Sequence, residues 1–340
     1  MRPRHPGRGR AVFRGVVRYR PALWPPAQPA NIIMQLIRGM PARRGARDGV
    51  VVTLGAFDGL HLGHQALVAR ARERAHARGA RTVMLTFEPM PREFLQPDSP
   101  PARLTNFRER WRLAAALGLD ELCVLRFGER LRGLSGELFA RRLADAFGAA
   151  LVVVGHDFRF GRDGAGTAEG LATCGQRYGF EVEVVAPVTG DGVRVSSTAV
   201  RESLAAGDFR HAARLLGRPY TMRGRVVRGE QLGRTLGFPT ANLRLRRRRA
   251  PLGGIFAVRV HGVADVPWPG VASLGTRPTV GGVEPWLETF LFDFAADLYG
   301  REIEVEFVAK IRDEARFESL EALTARMHDD ASEARRLLAL

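Results

Sequence analysis

Between residues 50 and 186, short apolar runs rich in valine and leucine alternate with longer segments in which apolar residues recur every three or four positions. The short runs are typical of buried strands, and the longer period is typical of amphipathic helices. The predicted strands cover residues 50–54, 82–87, 121–126, 150–154 and 181–186, and the predicted helices cover residues 64–78, 106–117, 135–147 and 168–178. This alternation predicts an α/β domain in which a parallel sheet has helices on both faces.

The pattern changes after two further predicted helices, at residues 198–206 and 208–216, which end at Gly217. From there apolar and polar residues alternate, and the clearest case is residues 301–307, where isoleucine, valine and phenylalanine alternate with glutamates. That is the period of a strand with one buried face. Other predicted strands cover residues 222–228, 255–261, 271–275 and 286–293. Because no predicted helix long enough for a crossover separates these strands, the pattern predicts an antiparallel barrel.

The end of the chain has the helical period again, and its apolar residues form one stripe. The stripe consists of Leu320, Leu323, Met327, Ala334 and Leu338. A stripe of this kind normally packs on a protein core. We therefore predict a terminal helix whose stripe packs against the core and does not bind a ligand.

Length and composition fit a globular protein with two domains. The chain has 340 residues, of which 45% are hydrophobic and 26% are charged, and this is enough for two buried cores. We place the domains at residues 34–217 and 218–340. Residues 1–33 have no usable period and are interpreted as a basic disordered extension or a mis-assigned start. No apolar run approaches the roughly 20 residues that a membrane span needs.

The net charge of +16 is concentrated at the start of the chain, where the first 47 residues contain eleven arginines and no acidic residue. Lys310 is the only lysine, so we interpret the charge as a compositional preference for arginine and expect no nucleic-acid partner. The later run Arg246–Arg249 is interpreted as a solvated loop. Cys123 and Cys174 lack metal-ligand spacing, which argues against structural zinc and indicates a reducing cytoplasm.

The segment Gly55–His64 follows the first predicted strand and opens a helix. Its three glycines allow the backbone to approach a phosphate closely. His61 and His64 are three residues apart at the helix start, so they share one face. The helix N-terminus adds N–H groups and positive potential. The segment is therefore a candidate site for a nucleoside triphosphate.

The element His61–His64 resembles the HxGH signature of the nucleotidylyltransferase superfamily. The segment Arg194–Arg201 would by itself be an ordinary helix N-cap, but it resembles the second signature of the same superfamily. The resemblance implies a Rossmann-like domain in which the two imidazoles neutralise charge that develops on the α-phosphate of ATP. The implied ATP and phosphate contacts are Gly55, Phe57, Gly63, Ser197, Thr198 and Arg201.

Two loops that follow predicted strands, Thr86–Pro91 and Val154–Gly161, look like the flavin-site loops of bacterial FAD synthetases. From the residues alone they could also be a proline-rich connection and a pair of core phenylalanines. The resemblance implies flavin contacts from Asp157, Phe158 and Phe160.

In the predicted barrel, the segment Gly233–Asn242 resembles the PTAN motif of riboflavin kinases, and it is followed by Gly275–Thr279 and by Glu288. Thr240 and Asn242 supply neutral oxygens suited to Mg²⁺ beside phosphates. Glu288 lies on a strand rich in aromatic residues, so it is either a solvent-facing carboxylate or a general base in a partly apolar site. The resemblance implies the catalytic base.

Two unrelated modules in this order resemble the prokaryotic bifunctional riboflavin kinase/FMN adenylyltransferase family over residues 34–330. The resemblance implies use of ATP and Mg²⁺ in both modules, with riboflavin, FMN and FAD as substrates and products. Two alternatives stay open. The chain could be a nucleotidylyltransferase for another phosphorylated substrate, with the barrel as a binding or regulatory module, or a basic nucleic-acid-binding factor on a nucleotide-binding fold.

Overall fold

The computed structural model describes residues 34–41, 49–190, 192–229, 233, 236–279 and 282–340, except for the side chains of 277–279, 282 and 283. The segment 1–33, predicted to be an extension or a mis-assigned start, lies outside the described residues. Contacts group the chain into two compact units. Unit 1 contains the described residues up to Ser99 together with Arg110–Val195, and unit 2 contains Pro100–Glu109 together with Ser196–Leu340. Our placement of the domains at residues 34–217 and 218–340 stays a prediction.

Unit 1 is built around a parallel sheet, which confirms the predicted α/β class. Its strands are β1 (Gln35–Arg38), β2 (Val50–Leu54), β3 (Arg81–Phe87), β4 (Glu121–Leu125), β5 (Ala149–Gly155) and β6 (Glu181–Val185). Among the described residues the sheet has six strands in the order β1-β4-β3-β2-β5-β6, and every pairing is parallel. The sequence pattern missed β1, which is short and lies at one edge of the sheet.

The helices of unit 1 are α1 (Leu62–His76), α2 (Pro91–Leu95), α3 (Phe107–Ala116, whose first residues belong to unit 2), α4 (Glu129–Arg132), α5 (Gly136–Phe147) and α6 (Ala168–Tyr178). Four of them, α1, α3, α5 and α6, follow the predicted spans closely, whereas the short α2 and α4 were not predicted. As the pattern indicated, α6 ends at Gly179, whose φ of 84° suits a residue without a side chain. Unit 1 also contains a small hairpin of β7 (Thr189–Gly190) and β8 (Val193–Arg194).

The central strand β2 shows why its apolar run is continuous. Val50, Val52 and Leu54 face the core formed with α5 and α6, whereas Val51 faces a second core formed with Ala71 of α1. Both faces of the strand are covered, so both sets of side chains must be apolar.

The strand order reverses direction at β2, because β3 lies on one side of it and β5 lies on the other. The carboxyl ends of neighbouring parallel strands open a crevice at such a reversal, and ligands of open α/β sheets bind there. The loops that follow β2, β3 and β5 are those that contain Gly55–His61, Glu88 and Asp157. The topology therefore brings three of the sequence-predicted segments to one edge of the sheet.

Unit 2 is built around a closed antiparallel barrel, as predicted. Its strands are β9 (Thr221–Val227), β10 (Thr240–Arg244), β11 (Gly254–His261), β12 (Trp268–Thr279), β13 (Gly282–Leu291) and β14 (Glu302–Arg312). The described strands close in the order β10-β13-β12-β11-β14-β9. The pattern missed β10, because its sequence is short and largely polar and follows a proline.

Three helices accompany the barrel in the described part of unit 2: α7 (Ser197–Ala205), α8 (Phe209–Leu216) and α9 (Leu320–Leu337). The first two match the predicted helices, and α8 ends at Gly217. Phe209 of α8 packs against Phe256 and Phe307 of the barrel, with ring centroids 5.8 Å and 6.1 Å away. These contacts bury one side of α8.

The terminal helix α9 corrects one expectation. Ala334 and Leu338 pack in a core with barrel residues, as predicted. Leu323 and Met327, however, line a cavity, and Leu320 is exposed. The period correctly identified one face of the helix, but only the C-terminal part of that face packs directly on the barrel.

The run Arg246–Arg249 was expected to be a solvated loop, and the structure corrects this expectation. Arg246, Arg248 and Arg249 are exposed, but the side chain of Arg247 is fully buried and donates to both carboxylate oxygens of Glu109, at 2.7 Å and 2.8 Å. The same carboxylate accepts a hydrogen bond from the backbone N–H of Arg223 at 2.8 Å. This run is therefore not simply a solvated loop, because its second arginine holds residues 100–109 within unit 2.

Candidate active sites

The first candidate site lies in the loop between β2 and α1. Phe57 and Leu60 have positive φ angles of 51° and 43°, and Gly59 has a φ of 80°. Positive φ is uncommon for bulky residues and persists only where the surrounding structure enforces it, so such strain is frequent at ligand sites. The loop turns sharply here and delivers His61 to the start of the helix.

His61 and His64 stack on each other, with ring centroids 3.7 Å apart and planes inclined by 21°. His61 is the N-cap of α1, and its Nδ1 accepts a hydrogen bond from the backbone N–H of His64 at 3.4 Å. An imidazole that accepts at Nδ1 has its proton on Nε2 when neutral, so this contact favours the tautomer of His61 with a donor at Nε2. The sequence-predicted pair is thus brought together as one unit at a helix N-terminus.

The predicted residues around this pair serve to pack its rings. Phe57 is fully buried, and its ring centroid lies 5.1 Å from that of His64. A Cβ added at Gly63 would lie 3.1 Å from Cε1 of His61, and one added at Gly55 would lie 3.2 Å from the Phe57 ring. Both glycines therefore leave room for an aromatic ring, and direct phosphate contacts from Gly55, Phe57 and Gly63 stay a prediction.

Arg110 of α3 is a residue that the sequence interpretation missed. Its guanidinium is fully buried and donates to the carbonyls of Ala56 and Phe87, at 3.2 Å and 3.3 Å, and to the carboxylate of Glu88 at 2.7 Å. It therefore connects the loops that follow β2 and β3. The available signal was an arginine on the apolar face of a predicted helix, four residues before the buried Ala114.

The predicted flavin contacts lie in the loop after β5 and differ in burial. Phe160 is buried and stacks on the partly buried Phe158, with centroids 5.6 Å apart. Asp157 is partly covered, with 61% of its side chain exposed, and forms an ion pair with Arg194 at 2.5 Å. Partial burial alone would raise the pKa of Asp157, but the hydrogen bond and positive charge of Arg194 outweigh it and lower the pKa. Asp157 therefore stays negatively charged at neutral pH.

Ser197, Thr198 and Arg201 lie on α7 in unit 2. The hydroxyl of Ser196 caps this helix by accepting a backbone N–H at 3.1 Å, so Ser197 and Thr198 supply the hydroxyls of the first turn. Arg201 donates through Nε to the carbonyl of Ala102 at 2.6 Å. Their role toward phosphates stays a prediction.

The second candidate site is a cavity of about 380 Å³ in unit 2. The cavity is bounded by the outer face of the barrel, by residues after β14 and by helix α9. Thr240, Asn242 and Glu288 all line it. Asn242 and Glu288 face each other as cross-strand partners of β10 and β13, so side chains 46 positions apart in the sequence share one wall. The fold brings together all three residues predicted for this site.

The lining of the cavity also includes the charged residues Arg312, Glu314 and Asp330, which the sequence interpretation did not identify. Burial raises the pKa of Glu314, and the charge of Arg312 only partly opposes that effect. Arg312 also donates to both oxygens of Asp330 on α9, at distances from 2.6 Å to 3.1 Å. A side chain at Gly275 would collide with the Glu314 carboxylate. The ion pair between Arg312 and Asp330 connects β14 to α9 beside the cavity.

The chain is a two-module transferase, and comparison with known proteins shows the family of each module. Residues 44–199 match the model of the FAD synthetase family, and residues 216–338 match the model of the riboflavin kinase family. The chain belongs to the bifunctional riboflavin kinase/FMN adenylyltransferase family, as its relatives show.

Two curated relatives illustrate the match. The bifunctional riboflavin kinase/FMN adenylyltransferase of Pseudomonas fluorescens is 48% identical over 90% of this chain and 98% of that protein. The protein of the same name from Escherichia coli (strain K12) is 43% identical over 90% of this chain and 99% of that protein. Both matches extend through the two units.

A solved structure also resembles most of the chain. The crystal structure of a macrolide-efflux protein from Streptococcus pneumoniae matches with a TM-score of 0.74 and 34% identity, over 89% of this chain and 99% of that chain. Among the described residues of the present chain, none of the helices has the length and apolar character needed to cross a membrane.

Proposed function

We propose that the chain catalyses two successive ATP-dependent reactions, one in each unit. Unit 2 phosphorylates riboflavin to FMN, and unit 1 transfers AMP from ATP to FMN, which gives FAD and pyrophosphate. The observation that carries the proposal is the presence, in one chain, of a histidine pair at a sheet crevice and of a separate barrel cavity lined by Thr240, Asn242 and Glu288. We propose a cytoplasmic location. The support is that Cys123 and Cys174 have neither the spacing of metal ligands nor that of a disulfide framework.

In the kinase reaction, Glu288 is the proposed general base for the terminal ribityl hydroxyl of riboflavin. Its carboxylate lines a cavity whose wall also includes Phe290 and Ile255, and a partly apolar wall limits competition from water. Transfer of a phosphoryl group requires mainly positioning and neutralisation of charge. The cavity supplies both an acceptor for the proton and a wall for the flavin.

Mg²⁺ fits the donors of this cavity. The hydroxyl of Thr240 and the amide oxygen of Asn242 are hard, neutral oxygens, and Mg²⁺ completes its shell with waters and substrate phosphates. Among the described residues there is no cluster of three or more His, Cys, Asp or Glu side chains that could hold a metal. When bound, the ion would neutralise charge on the transferred phosphates.

In the adenylylation reaction, His61 and His64 are the proposed donors to the α-phosphate of ATP. The helix N-terminus and the Nε2 proton of His61 favour an anion at this place. Asp157, Phe158 and Phe160 are proposed to bind the flavin. No covalent intermediate with the chain is required.

The test measures FMN and FAD separately in two variants. His64→Ala is expected to lower FAD formation from FMN by about 100-fold or more, because a donor to the transition state is lost, while FMN formation stays near wild type. Glu288→Ala is expected to lower FMN formation from riboflavin and to leave FAD formation from supplied FMN unchanged. Equal loss of both activities in either variant would refute the assignment of one reaction to each unit.

A further inference from the structure

We infer that Trp286 is a positioning residue of the kinase cavity, which orients the amide of Asn242 so that its oxygen is presented to Mg²⁺. The inference rests on the proposed kinase function of unit 2. Its starting observation is a hydrogen bond of 2.9 Å from the indole Nε1–H of Trp286 to Oδ1 of Asn242. Neither residue type nor spacing in the sequence indicates this contact.

The orientation of the Asn242 amide is determined by two partners of opposite character. The indole N–H of Trp286 can only donate, and it contacts Oδ1. The backbone carbonyl of Thr240 can only accept, and it accepts a hydrogen bond from Nδ2 of Asn242 at 3.2 Å. A flipped amide would place donor against donor and acceptor against acceptor. The two contacts together therefore select one orientation.

The amide is also confined by the backbone. A Cβ added at Gly229 would lie 2.6 Å from Cγ of Asn242 and 2.7 Å from both of its terminal atoms. Asn242 is only 5% exposed. With Trp286, the Thr240 carbonyl and Gly229 around it, the amide has little freedom to rotate away from the cavity.

Trp286 reaches Asn242 because of the strand register. Asn242 on β10 pairs with Glu288 on β13, and Trp286 lies two residues before Glu288 on the same face. Diagonal neighbours at this spacing are within reach of a long aromatic side chain. The indole therefore links Asn242, the proposed metal ligand on β10, to β13, the strand that holds the proposed base Glu288.

An amide oxygen has two lone pairs, so Oδ1 can accept from Trp286 and still ligate a cation. Loss of a partner that orients a metal ligand in this way typically costs about 10-fold to 100-fold in metal affinity or activity, and here the partner contacts the ligand and not the substrate. We therefore expect Trp286→Phe to act on the Mg²⁺ dependence of the kinase.

The first measurement follows FMN formation against Mg²⁺ concentration in the full chain. Trp286→Phe is expected to raise the Mg²⁺ concentration for half-maximal rate by about tenfold, with little change in the rate at saturating Mg²⁺. Trp286→Gln, which restores an N–H donor, should recover part of the loss. Trp268→Phe is the matched control, because it removes an indole donor that bonds to the Phe292 carbonyl at 2.7 Å elsewhere in the barrel.

The second measurement does not depend on activity. The indole N–H resonance that disappears in Trp286→Phe or Trp286→Gln is assigned to Trp286, and it should shift in Asn242→Ala. It should stay in place in Thr221→Ala, because Thr221 lies at the opposite end of β9 from Val227, the cross-strand partner of Asn242. In a calorimetric titration with ADP and Mg²⁺, the binding component that disappears in Asn242→Ala is assigned to the kinase cavity. Trp286→Phe should weaken binding in that component and leave any other component unchanged.

The outcomes separate this inference from the function on which it rests. If the wild-type chain forms no FMN, the kinase proposal fails. If it forms FMN and Trp286→Phe lowers the rate equally at every Mg²⁺ concentration, the role is merely structural and the inference is wrong. An unshifted indole resonance in Asn242→Ala, or an equal effect from Trp268→Phe, overturns it as well.

Discussion

At the scale of single residues, the first site depends on how closely side chains approach the two stacked imidazoles. Gly63 lies between them in the sequence, and a methyl group there would lie 3.1 Å and 3.2 Å from Cε1 and Nδ1 of His61. Contacts of this length force a ring to move by a few tenths of an ångström. Glycine at this position therefore preserves the ring geometry rather than the stability of the helix.

Gly63→Ala is expected to separate activity from stability. Alanine is favoured over glycine inside a helix by about 0.5–1 kcal/mol, so the thermal midpoint should not fall. The displaced His61 ring should lower FAD formation by about tenfold or more, because small misplacements are costly in catalysis. Steady-state assays and thermal melts check both expectations.

Gly170→Ala provides the control for this change. Gly170 lies in the first turn of α6, and its added methyl would meet its nearest neighbour, Oγ1 of Thr167, at an ordinary 3.8 Å. The Gly170→Ala variant should form FAD at the rate of the wild type. A similar loss of activity in both glycine variants would contradict a specific effect on His61.

At the scale of elements, unit 2 depends on a segment from far away in the sequence. Residues 100–109 belong to this unit by their contacts, and Asn106 donates to the carbonyl of Leu245 at 3.1 Å. The buried pair of Arg247 and Glu109 completes the attachment. Removing one partner of such a pair leaves an uncompensated charge in the interior, which costs far more than the pair itself contributes.

Arg247→Ala is expected to lower the free energy of unfolding by about 3–5 kcal/mol, because Glu109 would stay buried without its cation. Denaturant unfolding of the full chain measures the loss. The exposed neighbour offers the comparison: Arg248→Ala should change stability by no more than about 0.5 kcal/mol. Equal effects of the two substitutions would show that the buried contact has no special weight.

At the scale of the whole molecule, the two proposed sites are built from different elements and share no side chain. The histidine pair belongs to unit 1, whereas Asn242 and Glu288 belong to unit 2. Two sites of this kind can be inactivated independently. FMN is the product of one site and the substrate of the other, so it is the species that connects them.

A mixture of two inactivated variants should therefore make FAD from riboflavin. Molecules with His64→Ala would release FMN, and molecules with Glu288→Ala would adenylylate it. Each variant alone should give no more than a trace of FAD from riboflavin, and chromatography of the flavins measures all three reactions. FMN without FAD in the mixture would mean that FMN passes only within one molecule.

The sequence alone determined the order and type of most elements, because hydrophobic period is a local property of each segment. It also identified candidate residues of the proposed sites, because histidines beside glycines and a carboxylate among aromatic residues can be recognised without a structure, and the roles of these residues stay predictions. The sequence pattern missed β10, whose short, largely polar run shows neither the helical period nor the alternation of a strand. It also missed β1, which is a short edge strand.

Only the tertiary structure decided which of these residues meet. Strand register placed Asn242 opposite Glu288 and within reach of Trp286, and burial made Arg110 and Arg247 into internal contacts. Register and burial depend on the pairing of distant segments, which a local pattern does not contain. A charged residue therefore looks the same in the sequence whether it will be solvated or enclosed.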